Sequence, residues 1–94
     1  MQKNIQLSKT FTIKNKLGLH ARAAATLVKT TSQFESDIKI IKDGIEADAK
    51  SILGILSFAA SKGTHITILT EGEDAEAAMQ TIEELIESGF GEGI

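Results

Sequence analysis

Apolar and polar residues alternate from Lys9 to Lys14. Phe11 and Ile13 fall on one face, and Thr10, Thr12 and Lys14 on the other. That period of two predicts a half-buried strand. Asn15-Lys16-Leu17-Gly18-Leu19 then turns the chain into a helix running from Ala21 to Gln33. Ala24, Leu27, Val28 and Thr31 form its inner stripe, while Arg22, Lys29 and Ser32 point outward. Asp37 to Ile41 and Ile45 to Ala49 read as a hairpin, because Asp43-Gly44 supplies the positive φ angles of a tight turn. A second helix is expected from Ser51 to Ser61, stopped by Gly63, and another strand from Thr64 to Thr70 with Ile66 and Ile68 inward. In the last helix Ala75, Ala78, Met79, Ile82, Leu85 and Ile86 recur at helical spacing, with Asp74 as its cap and Gly89 as its stop.

The order is β-α-β-β-α-β-α. Each strand has one apolar face, and three helices need a surface to cover. The arrangement that satisfies both is an α+β fold, a four-stranded, mostly antiparallel sheet with the helices on one face and the other face wet. Ninety-four residues make one small domain. It is expected over 1–94, with 1–8 and 89–94 as flexible tails.

Charge and composition narrow the function. A net charge of −3 and only four aromatics, all Phe, argue against nucleic acid as a partner. Cysteine is absent, which excludes a disulfide scaffold and thiol chemistry and fits a reducing compartment. The first residues lack the apolar core of an export signal, and no stretch approaches a membrane span. A cytoplasmic chain without membrane insertion is expected. His20 and His65 are the only histidines, and His65 has no ligand-spaced neighbour. Neither a metal nor a cofactor is expected, and His65 reads as an outward strand position.

The chemistry concentrates at Gly18-Leu19-His20-Ala21-Arg22, where strand gives way to helix. Backbone N–H groups at a helix start lack intrahelical partners and carry partial positive charge. A phosphate there meets those donors and the Arg22 guanidinium. The same surroundings disfavour the imidazolium, so a nucleophilic ring nitrogen stays available near neutral pH. His20 is therefore a candidate phosphoryl carrier; the plainer alternative is a helix cap. The second helix is apolar over an arc of about 220°, more than the stripe of somewhat over 100° that a helix on a sheet needs. Ile52, Leu53 and Leu56 are then left partly exposed, either as a docking surface or under a covering loop. Ser51 is placed as an N-cap. It is also a candidate phosphorylation site, since a phosphate there puts charge beside the apolar patch.

Two motifs then stand together. Gly18-Leu19-His20-Ala21-Arg22-Ala23-Ala24 resembles the active-site signature of the HPr family, the histidine phosphocarriers of the bacterial phosphotransferase system. Lys50-Ser51-Ile52-Leu53-Gly54-Ile55-Leu56-Ser57 resembles the family's regulatory-serine motif, and the separation of 31 residues from His20 to Ser51 matches. The resemblance spans Thr10 to Glu92 and implies an open-faced β-sandwich. It implies that His20 takes phosphate on Nδ1 from phospho-enzyme I and passes it to IIA proteins, with Arg22 steadying the phosphoryl group. On this view the chain is a stoichiometric carrier, not an enzyme with turnover of its own. Ile52, Leu53 and Leu56 match the family's docking patch, and Ser51 the serine modified by HPr kinase/phosphorylase. In the family that modification weakens enzyme I docking and in many Gram-positive bacteria recruits a transcriptional regulator. An alternative is a regulatory binding module gated by Ser51 and uncoupled from sugar transport. A ferredoxin-like ligand or nucleic-acid domain shares the βαββα order but neither motif. The family usually has proline where this chain has Ala23. Alanine is a good helix former and the position does no chemistry, so the change is expected to touch the first turn's rigidity or partner fit. A carrier that shows one face to several partners is expected to be a monomer.

Overall fold

The computed structural model describes residues 5–92. The elements are β1 (Ile5–Thr12), α1 (Ala21–Thr31), β2 (Asp37–Lys42), β3 (Ile45–Asp48), α2 (Ile52–Leu56), β4 (His65–Gly72) and α3 (Ala75–Glu87). The strands form one sheet in the order β1-β4-β2-β3, and every pairing is antiparallel. Phe11, Ile38, Ile40, Ile66 and Ile68 point from the sheet into one core with Ala24 and Leu27 of α1, Ile55 of α2, and Ile82 and Ile86 of α3. The α+β order and the one-sided layering are as the apolar pattern predicts. Among the described residues no helix is long and apolar enough to cross a membrane.

The hairpin turn is built as expected, with φ of 53° at Asp43 and 79° at Gly44. Other boundaries differ. β1 begins at Ile5, so residues 5–8 are not a tail: Ile5 to Ser8 pair with Gly72 to Leu69 on β4. Residues 1–4 lie outside the described residues. The last turn is not a plain tail either, because Phe90 is buried against the core.

The largest correction concerns α2, which ends at Leu56 instead of Ser61. Ala59 adopts a φ of 49° and turns the chain out of the helix. The Ala60 carbonyl then accepts the Leu19 N–H at 2.8 Å. In a helix ending at Ser61 that carbonyl would lie in the last turn with no intrahelical partner. The left-handed turn at Ala59 leaves the end of the apolar run bonded to the loop that carries His20.

Asp74 stands at the start of α3 but makes no side-chain bond to that helix. Its carboxylate instead accepts the Glu35 and Ser36 N–H groups, each at 2.9 Å, and the Ser36 hydroxyl. It therefore ties the α1–β2 loop to the β4–α3 turn. The Ser36 hydroxyl, then the Glu35 amide, hold the Asp74 carboxyl below its ordinary value of 3.8. A depressed folded-state pKa gives stability that is present above the ordinary value and lost as pH falls through the folded one. Below pH of about 4 wild type is therefore expected to lose melting temperature faster than Asp74→Asn, which is the less stable of the two at neutral pH. Parallel melting curves from neutral pH to pH 2 for the two proteins would contradict this role.

Candidate functional site at the start of the first helix

The site begins with a glycine. Gly18 has a φ of 68°, a conformation costly to residues with a Cβ. It also lies against the end of the α2 loop, where an added Cβ would stand 2.4 Å from the Ala60 oxygen and 2.8 Å from Ser61 Cα. Tight turning and close approach together deliver His20 to the N-cap of α1 with extended backbone. The first bond of the helix runs from the Ala24 N–H to the His20 carbonyl at 2.8 Å. The amides of Ala21, Arg22 and Ala23 precede it and have no intrahelical acceptor. Ala23 is fully buried; where the family usually has proline, this chain offers one more donor at the helix start.

His20 does not cap the helix through its ring. Its side chain is 27 % exposed, so it is less open than the sequence suggests. Nδ1 lies 3.1 Å from the Gly18 carbonyl oxygen. Nε2 lies 3.2 Å from Glu92 Oε2, an ion-pair distance. The alignment there falls short of a hydrogen bond, and among the described residues Nε2, itself buried, has no full partner. Arg22 is mostly exposed and its Nε donates to the same Oε2 at 3.2 Å. A shallow hollow lined by Arg22, Thr26, Phe90, Gly91 and Glu92 opens beside it.

Two residues of this constellation carry no motif signal. Glu92 comes back to the site because α3 ends in a tight turn: Gly89 and Phe90 take φ of 67° and 58°, and the Phe90 N–H bonds the Leu85 carbonyl at 2.8 Å. Asn15 is fully buried. Its Nδ2 donates to the Gly18 carbonyl at 2.8 Å and to Glu92 Oε1 at 3.1 Å. Burial acts to raise the Glu92 carboxyl. The hydrogen bonds from Asn15 and Arg22 and the charges of His20 and Arg22 outweigh it, and the group lies below its ordinary value of 4.5. Glu92 is thus an anion at neutral pH, facing His20 and Arg22 together.

The second candidate cluster sits on α2, which packs against α1. Ser51 is its N-cap, and Oγ accepts the Gly54 N–H at 3.1 Å. Ile52 is exposed and Leu53 is 81 % exposed, so no loop covers them. Leu56 is half-buried, partly exposed as expected, and packs on the core. Two exposed apolar positions lie outside the helical wheel: Ile45 at the start of β3, and Leu17, 59 % exposed on the loop leading to His20. Its signal is weak, because a lone leucine in a loop is ordinary. His65 lies at the start of β4, its Nδ1 3.0 Å from Thr12 Oγ1. Among the described residues no group of three or more His, Cys, Asp or Glu is placed to hold a metal.

Residues 7–88 match the family described as the PTS HPr component phosphorylation site. The match contains Asn15, His20, Arg22 and Ser51 and stops short of Glu92. Phosphocarrier protein HPr of Xylella fastidiosa strain Temecula1 is 49 % identical over 86 residues, covering 92 % of this chain and 97 % of that protein. The crystal structure of HPr-C-His from Thermoanaerobacter tengcongensis superposes with a TM-score of 0.90 at 46 % identity, covering 94 % of this chain and 99 % of that one. HPr from Bacillus anthracis gives a TM-score of 0.83 at 43 % identity, covering 86 % and 96 %. The chain belongs to the HPr family and is a phosphocarrier of the phosphotransferase system, carrying a phosphoryl group on a histidine without catalytic turnover of its own.

Proposed function

We propose that His20 is the phosphoryl acceptor and that this chain relays phosphate from phospho-enzyme I to IIA proteins. The observation that carries the assignment is the imidazole at the start of α1, with free amides and Arg22 beside it. Members of the family interact with enzyme I, IIA proteins and regulatory kinases. Transfer between two imidazoles needs in-line placement and neutralisation of the phosphoryl oxygens, and little else from the protein. The helix-start amides and Arg22 supply that neutralisation. The exposed Ile52 and Leu53 suit docking of apolar partner surfaces. Leu56, half-buried, contributes from beneath.

Ser51 is assigned the regulatory role. Its Oγ bonds the Gly54 amide at the base of the exposed pair Ile52 and Leu53. A phosphate there adds close to two negative charges to a surface that partners must desolvate. HPr kinase/phosphorylase and a transcriptional regulator that binds the modified form are the corresponding partners.

A carrier must discharge as well as load. The phosphorylated chain, mixed with a IIA protein, is expected to lose its phosphate stoichiometrically to that protein. Ser51→Asp is expected to slow loading by enzyme I at least about tenfold, the kinetic equivalent of about 1.4 kcal/mol of lost docking. A chain that loads but never discharges would refute the relay. Equal loading of wild type and Ser51→Asp would remove Ser51 from the scheme.

A further inference from the structure

Both ring nitrogens of His20 face oxygen acceptors. Nδ1 is 3.1 Å from the Gly18 carbonyl, and Nε2 is 3.2 Å from Glu92 Oε2. A neutral imidazole has one N–H, so only one of these oxygens can receive it. The choice decides reactivity at Nδ1. A proton on Nδ1, given to Gly18, removes the lone pair that must attack phosphorus. A proton on Nε2, given to Glu92, leaves that lone pair free.

We propose that Glu92, held by Asn15, is a positioning residue that keeps the His20 proton on Nε2 and so presents Nδ1 as the nucleophile. This rests on the reading of His20 as the acceptor. A carboxylate is the stronger of the two acceptors, because its hydrogen bond is charge-assisted. The Gly18 carbonyl already accepts the Asn15 amide at 2.8 Å, as Glu92 Oε2 accepts Arg22 Nε at 3.2 Å, and each oxygen keeps a further lone pair, so the charge of the carboxylate decides between them. The same Asn15 nitrogen donates to Glu92 Oε1 at 3.1 Å, so one buried side chain bonds both acceptors and fixes the carboxylate in place. The chain of contacts closes on itself, from Nδ1 through Gly18, Asn15 and Glu92 back to Nε2.

Nε2 is buried and, among the described residues, short of one aligned partner. Glu92 is the acceptor beside it. With the proton on Nε2, the Nδ1 lone pair faces the lone pairs of the Gly18 carbonyl, which favours a ring turned toward Glu92. In the transfer the Nδ1 lone pair forms the new N–P bond while the donor's N–P bond breaks. That electron pair returns to the donor nitrogen, and the Nε2 proton stays where Glu92 holds it. This is the orienting role that a carboxylate plays behind many functional histidines.

The test uses the full chain with ¹⁵N-labelled histidine. Long-range ¹H–¹⁵N correlations read the tautomer of the neutral ring, and loading by enzyme I and phosphoenolpyruvate reads the rate. Wild type is expected to carry the proton on Nε2. Glu92→Ala, with Gly18 as the remaining acceptor, is expected to shift it toward Nδ1 and to load at least about tenfold more slowly. Glu92→Gln, which keeps a neutral acceptor, is expected to fall between them. Glu92 lies in the exposed turn after α3, so these variants keep the core, and unchanged amide spectra elsewhere check it. An unchanged tautomer in Glu92→Ala, or loading as fast as wild type or faster, overturns the role of Glu92. Wild type that takes no phosphate on His20 overturns instead the acceptor assignment beneath it.

Discussion

His20→Ala is expected to leave the chain folded and to abolish its phosphorylation by enzyme I and phosphoenolpyruvate. The fold survives because the ring supports little of it. The side chain is partly exposed and makes no bond to the helix amides. The lost capping contribution is below about 1 kcal/mol, against a domain stability of about 5–15 kcal/mol. The chemistry has no substitute. Transfer requires a nitrogen lone pair in line with the donor, and at this helix start alanine offers none. His65, the other histidine, sits on β4 beside Thr12 and away from the free amides of α1. Labelling of His20→Ala at even a tenth of the wild-type rate would show that phosphate enters elsewhere.

Gly18→Ala is the second large effect, and it acts through the fold. The backbone at φ 68° costs a non-glycine residue about 1–2 kcal/mol. The new methyl would also meet the Ala60 oxygen at 2.4 Å and Ser61 Cα at 2.8 Å, both backbone atoms that cannot rotate away. Overpacking of this kind costs a further 1–3 kcal/mol, roughly. The sum of about 2–5 kcal/mol corresponds to a fall in melting temperature of at least about 10 °C for a domain of this size. The displaced Ala60 carbonyl is also the acceptor of the Leu19 N–H. Its movement shifts the start of α1, so the folded fraction should load more slowly, as misplacement of a reacting group by about 1 Å can cost about a hundredfold. Thermal melts and initial loading rates separate the two effects. A variant that melts with wild type would show that the turn adapts at no cost.

What the sequence revealed was the local part. Strand periodicity, the Asp43-Gly44 turn and the inner stripe of α3 are each decided within a few residues, and each appears in the fold. His20 and Arg22 were legible for the same reason: one helix start places both. The misreadings are tertiary. The run from Ile52 to Ala59 is mostly apolar at helical spacing, and nothing in it announces that Ala60 bonds Leu19. Ile5 and Leu7 alternate with polar residues, but only their pairing with Gly72 and Thr70 makes them strand. Asp74 looked like a cap and is a loop tie, because its acceptors were claimed by Glu35 and Ser36 across 39 and 38 positions. Glu92 and Asn15 meet across 77 positions. A carboxylate between glycines past a helix stop gives no periodic or motif signal, and the tail was expected to be free. The exposure on α2 was legible in part: wheel geometry leaves Ile52, Leu53 and Leu56 partly exposed, and the first two prove the more open, while the exposed loop residue Leu17 lies outside any helix the wheel describes.

The central claim is that a phosphoryl group is carried on His20. Intact mass after incubation with enzyme I and phosphoenolpyruvate, read before and after mild acid, tests it on wild type, His65→Ala and His20→Ala together. A gain of about 80 Da, one phosphoryl group, is expected in wild type and His65→Ala. Acid should remove that gain, and His20→Ala should show none. An acid-labile gain in His20→Ala, or its loss in His65→Ala alone, would contradict the assignment.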